Sequence, residues 1–201
     1  MNVRFPDIIR PFLGKLIWRK NPSSKVIYVT FDDGPVPEVT PRVLDLLDKF
    51  NVKATFFCVG ENVQKHPDIY AEMIKRGHKT GNHTFNHLKG LSVTNEEYVA
   101  NIEKAAQYID SKLFRPPYGQ IKRGQRKKLQ SKYDIVMWDL ITHDYNQNLS
   151  KESIFNNIKH FSRNGSIVVF HDSIKAKNNM LYVLPLAIEY WNSQGFTFDV
   201  L

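Results

Sequence analysis

Short apolar segments that alternate with helical segments constrain the fold of this chain more than any other sequence feature. Residues 25–31, 54–59 and 166–170 are rich in β-branched and aromatic residues, which is typical of buried strands. The segment that begins at Thr40-Pro41 has helical periodicity. Strands that alternate with helices predict a parallel sheet, either a barrel or an open doubly wound sheet. The 201 residues, 42% of them apolar, suit one such domain.

Local signals predict where several helices begin and end. Thr40 is the predicted cap of the first helix, and a second helix is predicted over residues 62–76. Residues 94–97 have the capping-box pattern and predict a helix that reaches about Asp110. Ser150 is the predicted cap of a helix that ends near Asn164, and the last helix is predicted near residues 178–193.

Residues 1–24 are predicted to pack on a single domain that comprises residues 25–201. Charged residues interrupt the apolar side chains near the N-terminus, so neither a secretory signal nor a membrane span is predicted. A cytoplasmic protein is therefore expected. Cys58 is the only cysteine, which excludes an intramolecular disulfide and a thiolate-rich metal site, and its apolar neighbours predict a buried thiol.

The net charge of +8 includes a dense basic stretch between Lys122 and Lys132. A solvated helix face is one interpretation, and a surface for an acidic glycan or a lipid-linked sugar is another. No Gly-rich phosphate loop or interleaved aromatic residues accompany these charges, so no nucleic-acid partner is expected. The oligomeric state cannot be read from the sequence.

Polar side chains that could take part in catalysis follow the predicted strands. Asp32 and Asp33 end one strand and His171 ends another, while Arg115 and Asp144 follow further apolar segments. The carboxyl ends of parallel strands are where active sites of α/β folds are assembled. These side chains are therefore predicted to share one cavity.

His83 and His87 are spaced so that a helical turn would present both imidazoles on one face, as a metal site requires. Adjacent carboxylates at Asp32 and Asp33 repel one another unless a cation or a proton neutralises them. One carboxylate could complete a two-histidine, one-carboxylate site and the other could serve as a general base. Taken singly, the histidine pair is compatible with ordinary structural histidines, and Asp-Gly-Pro with a plain surface turn.

Two further motifs suit hydrolysis of an acyl group. In the stiff loop after Arg115, the backbone N–H groups of Tyr118 and Gly119 could stabilise an oxyanion, and Arg115 could orient an acidic residue through a bidentate contact. His171 could protonate a leaving amine, with Asp144 as the carboxylate that raises its pKa. A rigid structural turn and an ordinary histidine are the alternatives.

Together and in this order, these motifs resemble the polysaccharide deacetylase family, which is carbohydrate esterase family 4 or the NodB homology domain. The resemblance implies a distorted, incomplete (β/α) barrel with about seven parallel strands. It also implies the following roles: Asp32 as base, Asp33, His83 and His87 as metal ligands, Arg115 as the residue that orients the base, Tyr118 as oxyanion donor, Asp144 and His171 as the acid pair, and Pro117 and Val169 in the substrate site.

The implied activity is removal of N-acetyl groups from a peptidoglycan-like, chitin-like or lipid-linked N-acetylhexosamine, with release of acetate. The implied cofactor is one divalent metal ion, with zinc as first choice and iron, cobalt or nickel also compatible with the ligands. The family usually has Trp where Tyr145 stands; this departure affects the sugar-side wall of the groove and not the chemistry, and Tyr145 is predicted to contact the substrate. An O-acetyl ester or a small amide as substrate, and a non-catalytic glycan- or nucleic-acid-binding module, remain alternatives.

Overall fold

The structure is a computed structural model that describes residues 3–201. Its strands, β1 to β8, are Val26–Asp32, Thr55–Cys58, Lys79–Asn82, Leu113–Phe114, Asp134–Ile135, Leu140–Ile141, Ile167–His171 and Thr197–Phe198. Its α-helices, α1 to α7, are Thr40–Lys49, Gly60–Lys65, Pro67–Lys75, Asn95–Ala105, Arg123–Leu129, Lys151–Phe161 and Lys177–Ser193. Short 3-10 helices comprise Arg10–Leu13, Gly90–Ser92 and Pro117–Gly119.

The strands form one sheet in the order β5-β4-β3-β2-β1-β7-β6, and β8 adds to the start of β1. Every pairing between these strands is parallel. Within residues 3–201, seven parallel strands with helices outside and no pairing between β5 and β6 form an incomplete barrel. The predicted fold class is therefore confirmed. The carboxyl ends of all seven strands meet at one edge, with β1 near the middle.

Strand β1 shows why the site lies inside the barrel. Successive side chains of a strand point to opposite faces, and Val29 and Phe31 pack into the large core beneath the helices. The alternate side chains include Tyr28, which packs inside the barrel, and Thr30 and Asp32, which contact the guanidinium group of Arg115. Each fully buried large apolar side chain contributes about 1.5–3 kcal/mol to folding, so a shift of β1 by one residue would be strongly disfavoured.

The segment before β1 packs along the gap in the barrel. The Ile17 N–H donates to the carbonyl of Ile135, and Ile17 forms a parallel bridge with Val136 beyond the end of β5. Trp18 is buried and its ring stacks on Phe5.

Several predicted boundaries differ from the structure for local reasons. The predicted helix over residues 62–76 is interrupted at His66, because Pro67 lacks the N–H of a helix interior and instead begins α3. Thr40 is the first residue of α1 and not its cap; its hydroxyl accepts from the Val36 N–H. The capping box at Thr94 is confirmed, but α4 ends at Ala105 and not near Asp110.

Strand β3 escaped prediction because Lys79, Thr80 and Asn82 are polar and Gly81 is a poor strand former. A Cβ atom at Gly81 would lie 2.6 Å from the ring of Phe57, so close packing against β2 requires glycine there. The buried state predicted for the cysteine thiol is confirmed. Within residues 3–201, the helices are too short or too polar to cross a membrane.

Candidate metal-centred active site

The turn after β1 carries both carboxylates and is built around Gly34. Its N–H donates to Asp172 Oδ1 over 3.0 Å, and the hydroxyl of Thr40 donates to Asp172 Oδ2 over 2.6 Å. A Cβ atom at position 34 would lie 1.9 Å from Asp172 Oδ2, so only glycine fits. Asp33 has a φ of 87°, a left-handed conformation that is unfavourable for a residue with a side chain. The surrounding contacts hold it there, and Asn62 Nδ2 donates to its carbonyl over 2.8 Å.

The side chains of Asp33, His83 and His87 bring their donor atoms together, with all ligand atoms within 4.8 Å of one another. Asp33 Oδ1 lies 3.8 Å from His83 Nε2 and 3.2 Å from His87 Nε2. Ligands of a tetrahedral ion with bonds of about 2.0–2.1 Å stand roughly 3.3 Å apart. Asp33 Oδ1 is buried and accepts no hydrogen bond among the described residues. Two imidazoles and one carboxylate with this spacing fit a divalent cation.

The histidines reach this position from an irregular loop and not from the predicted helical turn. His83 follows β3 directly, while Thr84 and His87 have positive φ angles of 66° and 57°. The fully buried ring of His83 donates from Nδ1 to the carbonyl of Arg115 over 2.7 Å in the tautomer that leaves Nε2 free to ligate. The helical prediction was wrong because tertiary contacts of the loop determine its backbone.

Protonation in the metal-free protein favours ligation. Burial lowers the pKa of His83 to about 4, which keeps the ring neutral at physiological pH. Burial by itself would raise the pKa of Asp33, but contact with His87 and the charge of His171 hold it well below its usual range. The carboxylate therefore remains ionised, and neutral imidazole with ionised carboxylate are the forms that bind metal.

Asp32 is held by a fully buried arginine. Arg115 Nη1 donates to Asp32 Oδ1 over 2.6 Å and to Thr30 Oγ1 over 2.8 Å. Arg115 Nη2 donates to the carbonyl of Met137, and the guanidinium carbon lies 4.0 Å from the centroid of the Phe57 ring. The predicted bidentate contact was wrong, since one nitrogen contacts one carboxylate oxygen. The remaining guanidinium contacts anchor the arginine to the barrel wall, so Asp32 Oδ2 stays available.

His171 and Asp144 form the second carboxylate-imidazole arrangement. His171 ends β7 at the register position of Asp32 in β1, so the two side chains emerge from neighbouring strands. Asp144 is fully buried and contacts His171 twice: Oδ1 lies 2.7 Å from Nδ1, and Oδ2 accepts from the backbone N–H over 2.8 Å. Burial opposes the charge of the ring, but Asp144 outweighs it and raises the pKa of His171 to about 9.

The loop after β4 presents a free backbone N–H. Pro117 is buried and begins a 3-10 turn in which Tyr118 has a φ of 60°. Gly119 donates to the carbonyl of Pro116 over 3.0 Å, so its predicted availability for an oxyanion was wrong. Within residues 3–201, no backbone carbonyl accepts a hydrogen bond from the Tyr118 N–H. The Tyr118 ring is 56% exposed and its edge packs on His87 at a centroid distance of 4.8 Å.

The remaining predicted substrate-site residues lie beside His171. The Tyr145 ring meets the His171 ring edge to face at 4.9 Å, and its hydroxyl is 2.9 Å from His143 Nδ1. Val169 is fully buried two residues before His171, so both side chains lie on the same face of β7. Tyr145 thus borders His171, and its contact with a sugar remains a prediction.

No role in the site was predicted for Asp172, Thr40 and Asn62, which support the turn that carries the two carboxylates. Burial raises the pKa of Asp172 to about 7, even though Thr40 and Gly34 hydrogen-bond to it. The sequence signal was an acidic residue directly after a buried strand, since a buried carboxylate requires a polar partner. The identity of that partner depends on the pairing of β1 with β7.

The comparisons with known proteins agree with this geometry. The sequence model described as Polysaccharide deacetylase matches residues 19–136. A peptidoglycan-N-acetylglucosamine deacetylase of Bacillus cereus is 33% identical over 192 residues, which cover 92% of this chain and 90% of that protein. Chitin deacetylase 2 of Saccharomyces cerevisiae is 36% identical over 157 residues, which cover 72% of this chain and 49% of that protein.

The same resemblance extends to a solved structure. A crystal structure of a peptidoglycan N-acetylglucosamine deacetylase superposes with a TM-score of 0.91 at 31% identity. The alignment covers 98% of this chain and 95% of that one. The similarity in sequence and in fold therefore extends over nearly the whole length of both chains.

Proposed function

Because this chain belongs to the polysaccharide deacetylase family, whose members are generally metal-dependent, we propose that it hydrolyses the N-acetyl group of an N-acetylated carbohydrate. Acetate and a free amine on the sugar are the products. The relatives are named for peptidoglycan and chitin, which both contain N-acetylhexosamines. The observation that carries the proposal is the neighbouring placement of Asp32 and His171 beside the donor triad.

Asp33, His83 and His87 would hold the cation. When bound, a divalent ion supplies Lewis-acid polarisation of the acetyl carbonyl and makes water more acidic. We propose zinc, because two imidazoles and one carboxylate with positions left open suit its tetrahedral preference. Iron, cobalt and nickel suit the same donors.

We assign Asp32 as the general base that takes a proton from the attacking water. Arg115 Nη1 donates to Oδ1 of the carboxylate, which leaves Oδ2 as the oxygen that accepts the proton. A correctly positioned base contributes about 10²–10⁴ in rate. Arg115 itself is fully buried, so its role is to position Asp32 and not to contact the substrate.

We assign His171 as the acid that protonates the departing nitrogen. Asp144 holds Nδ1, so Nε2 is the nitrogen that can face the cavity and donate. A pKa of about 9 keeps the ring protonated at neutral pH in the metal-free protein. The Tyr118 N–H is the candidate donor to the oxyanion, a contribution of about 3–4 kcal/mol for such a group.

The test measures acetate and free amine released from N-acetylglucosamine oligomers and from peptidoglycan. We expect both products in equal amounts, loss of activity after chelation, and recovery when zinc is added. Asp32→Asn, which keeps the volume and the metal ligands, is the matched inactive control. Acetate released from peptidoglycan without new amine, together with no product from the N-acetylglucosamine oligomers, would indicate an O-acetyl ester as substrate and would contradict the proposal.

A further inference from the structure

Two lysines border the candidate site, one on each side, and each reaches it through a tyrosine ring. Lys89 Nζ lies 4.6 Å from the centroid of the Tyr118 ring, and that ring packs on His87. Lys175 Nζ lies 5.9 Å from the centroid of the Tyr145 ring, which packs on His171. A chain of two ring contacts therefore connects each ammonium group to an imidazole of the site.

The two lysines stand on opposite sides of the carboxylate pair. Lys89 lies in the loop after β3, and Lys175 lies in the loop after β7. In the sheet, β2 and β1 lie between those strands. A sugar bound over Asp32 and Asp33 would therefore have a cation on each side.

Both charges are available to a ligand. Lys89 and Lys175 are exposed, and neither forms an ion pair with any residue that the structure describes. Other exposed lysines, such as Lys53 and Lys128, have carboxylate partners within 3.0 Å. Contact with the electron-rich ring face restrains the ammonium group without neutralising its charge.

The carboxylates of the site do not cancel these charges. Asp32 is paired with Arg115, and Asp144 is paired with His171. Asp33 belongs to the donor triad that fits a cation. The two lysines therefore leave positive charge at the rim, and this charge favours an anion.

On the premise of the proposed deacetylase function, we propose that the substrate carries an acidic group, a carboxylate or a phosphate, close to the N-acetylated sugar. Lys89 and Lys175 are the residues that select it. Chitin is neutral, whereas the glycan strand of peptidoglycan carries a lactyl carboxylate on those N-acetylmuramic acid residues that bear no stem peptide. The lysines thus favour the acidic polymer over the neutral one.

The experiment uses two tetrasaccharides that differ only in charge. One alternates N-acetylglucosamine with N-acetylmuramic acid without peptide, and in the other the lactyl carboxyl groups are reduced to alcohols. A unit charge about 5 Å from an ammonium group in water at moderate salt changes binding roughly threefold. We expect the unsubstituted, metal-loaded protein to prefer the acidic tetrasaccharide about tenfold in kcat/KM when both lysines act.

Lys89→Gln and Lys175→Gln should each lower this preference about threefold, and the double variant should abolish it. Raising ionic strength from about 0.02 M to about 0.5 M should weaken the preference of the unsubstituted protein. Lys159→Gln is the matched control: Lys159 is also exposed, lies 4.9 Å from the centroid of the Phe155 ring, and that ring packs on Tyr190. This variant should keep the tenfold preference.

A preference near unity in the unsubstituted protein for both the tetrasaccharide pair and the phosphate pair, or a preference that survives in the double variant, would overturn the proposal. Kd values for the same tetrasaccharides separate this result from failure of the deacetylase function. If neither glycan releases acetate, the deacetylase proposal fails, and the ratio of Kd values then supports or overturns the role of the lysines. A second arm compares N-acetylglucosamine 1-phosphate with the uncharged methyl glycoside of N-acetylglucosamine. If a lysine-dependent preference for the charged compound is found in this arm alone, the acidic group is a phosphate.

Discussion

Replacing Asp144 with asparagine is expected to lower the pKa of His171 from about 9 to below 6.5, the ordinary value for histidine. The ring is buried, and burial by itself lowers the pKa of an imidazole. Asp144 outweighs that effect through its charge and its 2.7 Å contact with Nδ1, and the charges of Asp33 and Asp32 contribute less. An asparagine side chain would keep the shape and one hydrogen bond but not the charge, so only the weaker charges of Asp33 and Asp32 would oppose the effect of burial.

The size of the effect follows from the difference between the two pKa values. A change from about 9 to 6.5 corresponds to about 3 kcal/mol of preference for the protonated ring. At pH 7.5 nearly all His171 rings are protonated in the unsubstituted protein, against about a tenth or fewer in the variant. Hydrolysis of an N-acetyl substrate at that pH should therefore slow at least tenfold, since the acid would rarely carry its proton.

The same difference predicts the pH dependence of stability. The folded-state pKa of His171 is raised above the unfolded value, so its stabilising contribution is complete below about pH 6.5 and disappears as pH rises through about 9. The metal-free unsubstituted protein should lose up to about 3 kcal/mol of unfolding free energy between these limits because of this group. Asp144→Asn should lack that loss.

Histidine NMR titration of the metal-free protein measures the pKa, and urea unfolding at pH 6 and 9.5 measures the stability. Asp139→Asn is the control, because Asp139 is also a fully buried, hydrogen-bonded carboxylate but contacts Arg10, Arg163 and Ser166. It should leave the titration of His171 unchanged. A pKa that stays above 8 in Asp144→Asn would refute the reasoning, as would an equal change in the control.

Three further substitutions test other parts of the site. Asp32→Asn should retain bound metal, as measured by metal analysis, while acetate release falls about 10²–10⁴-fold; a rate near that of the unsubstituted protein would exclude Asp32 as the base. His83→Ala should lose both bound metal and activity, since one of three ligands is removed; full metal content would contradict the ligand assignment. Gly34→Ala should lower the unfolding free energy by about 1–3 kcal/mol in thermal or urea unfolding, because its Cβ atom would overlap Asp172; an unchanged Tm would show that the turn can relax.

Strands such as β1, β2 and β7 were predictable because runs of apolar residues indicate burial directly, whereas the polar strand β3 was not. Runs such as residues 25–31 are apolar on both faces, which predicts a strand covered on both sides. The residues of the donor triad were also predictable, since Asp33, His83 and His87 occur together in motifs that resemble one family, although each motif taken singly has a structural explanation. The resemblance supplied their roles, which remain proposals for this chain.

Predictions that depended on loop backbone failed. The loop from His83 to His87 has no helical turn, because residues with positive φ direct both imidazoles towards Asp33. Gly119 donates its N–H within its own turn. Such conformations are stabilised by contacts with distant strands, so nearby sequence does not specify them.

The sequence by itself determined which residue types stand at the ends of β1 and β7, because each of these strands is defined by its own run of apolar side chains. Only the tertiary structure decided which of these residues meet. Parallel pairing of β1 with β7 brings Asp32 beside His171. The same pairing lets the Gly34 N–H donate to Asp172, which lies 138 positions further along the chain. The contacts of Lys89 and Lys175 with the two tyrosine rings arise in the same way. Strand register and ring packing depend on the whole core, so no local segment encodes them.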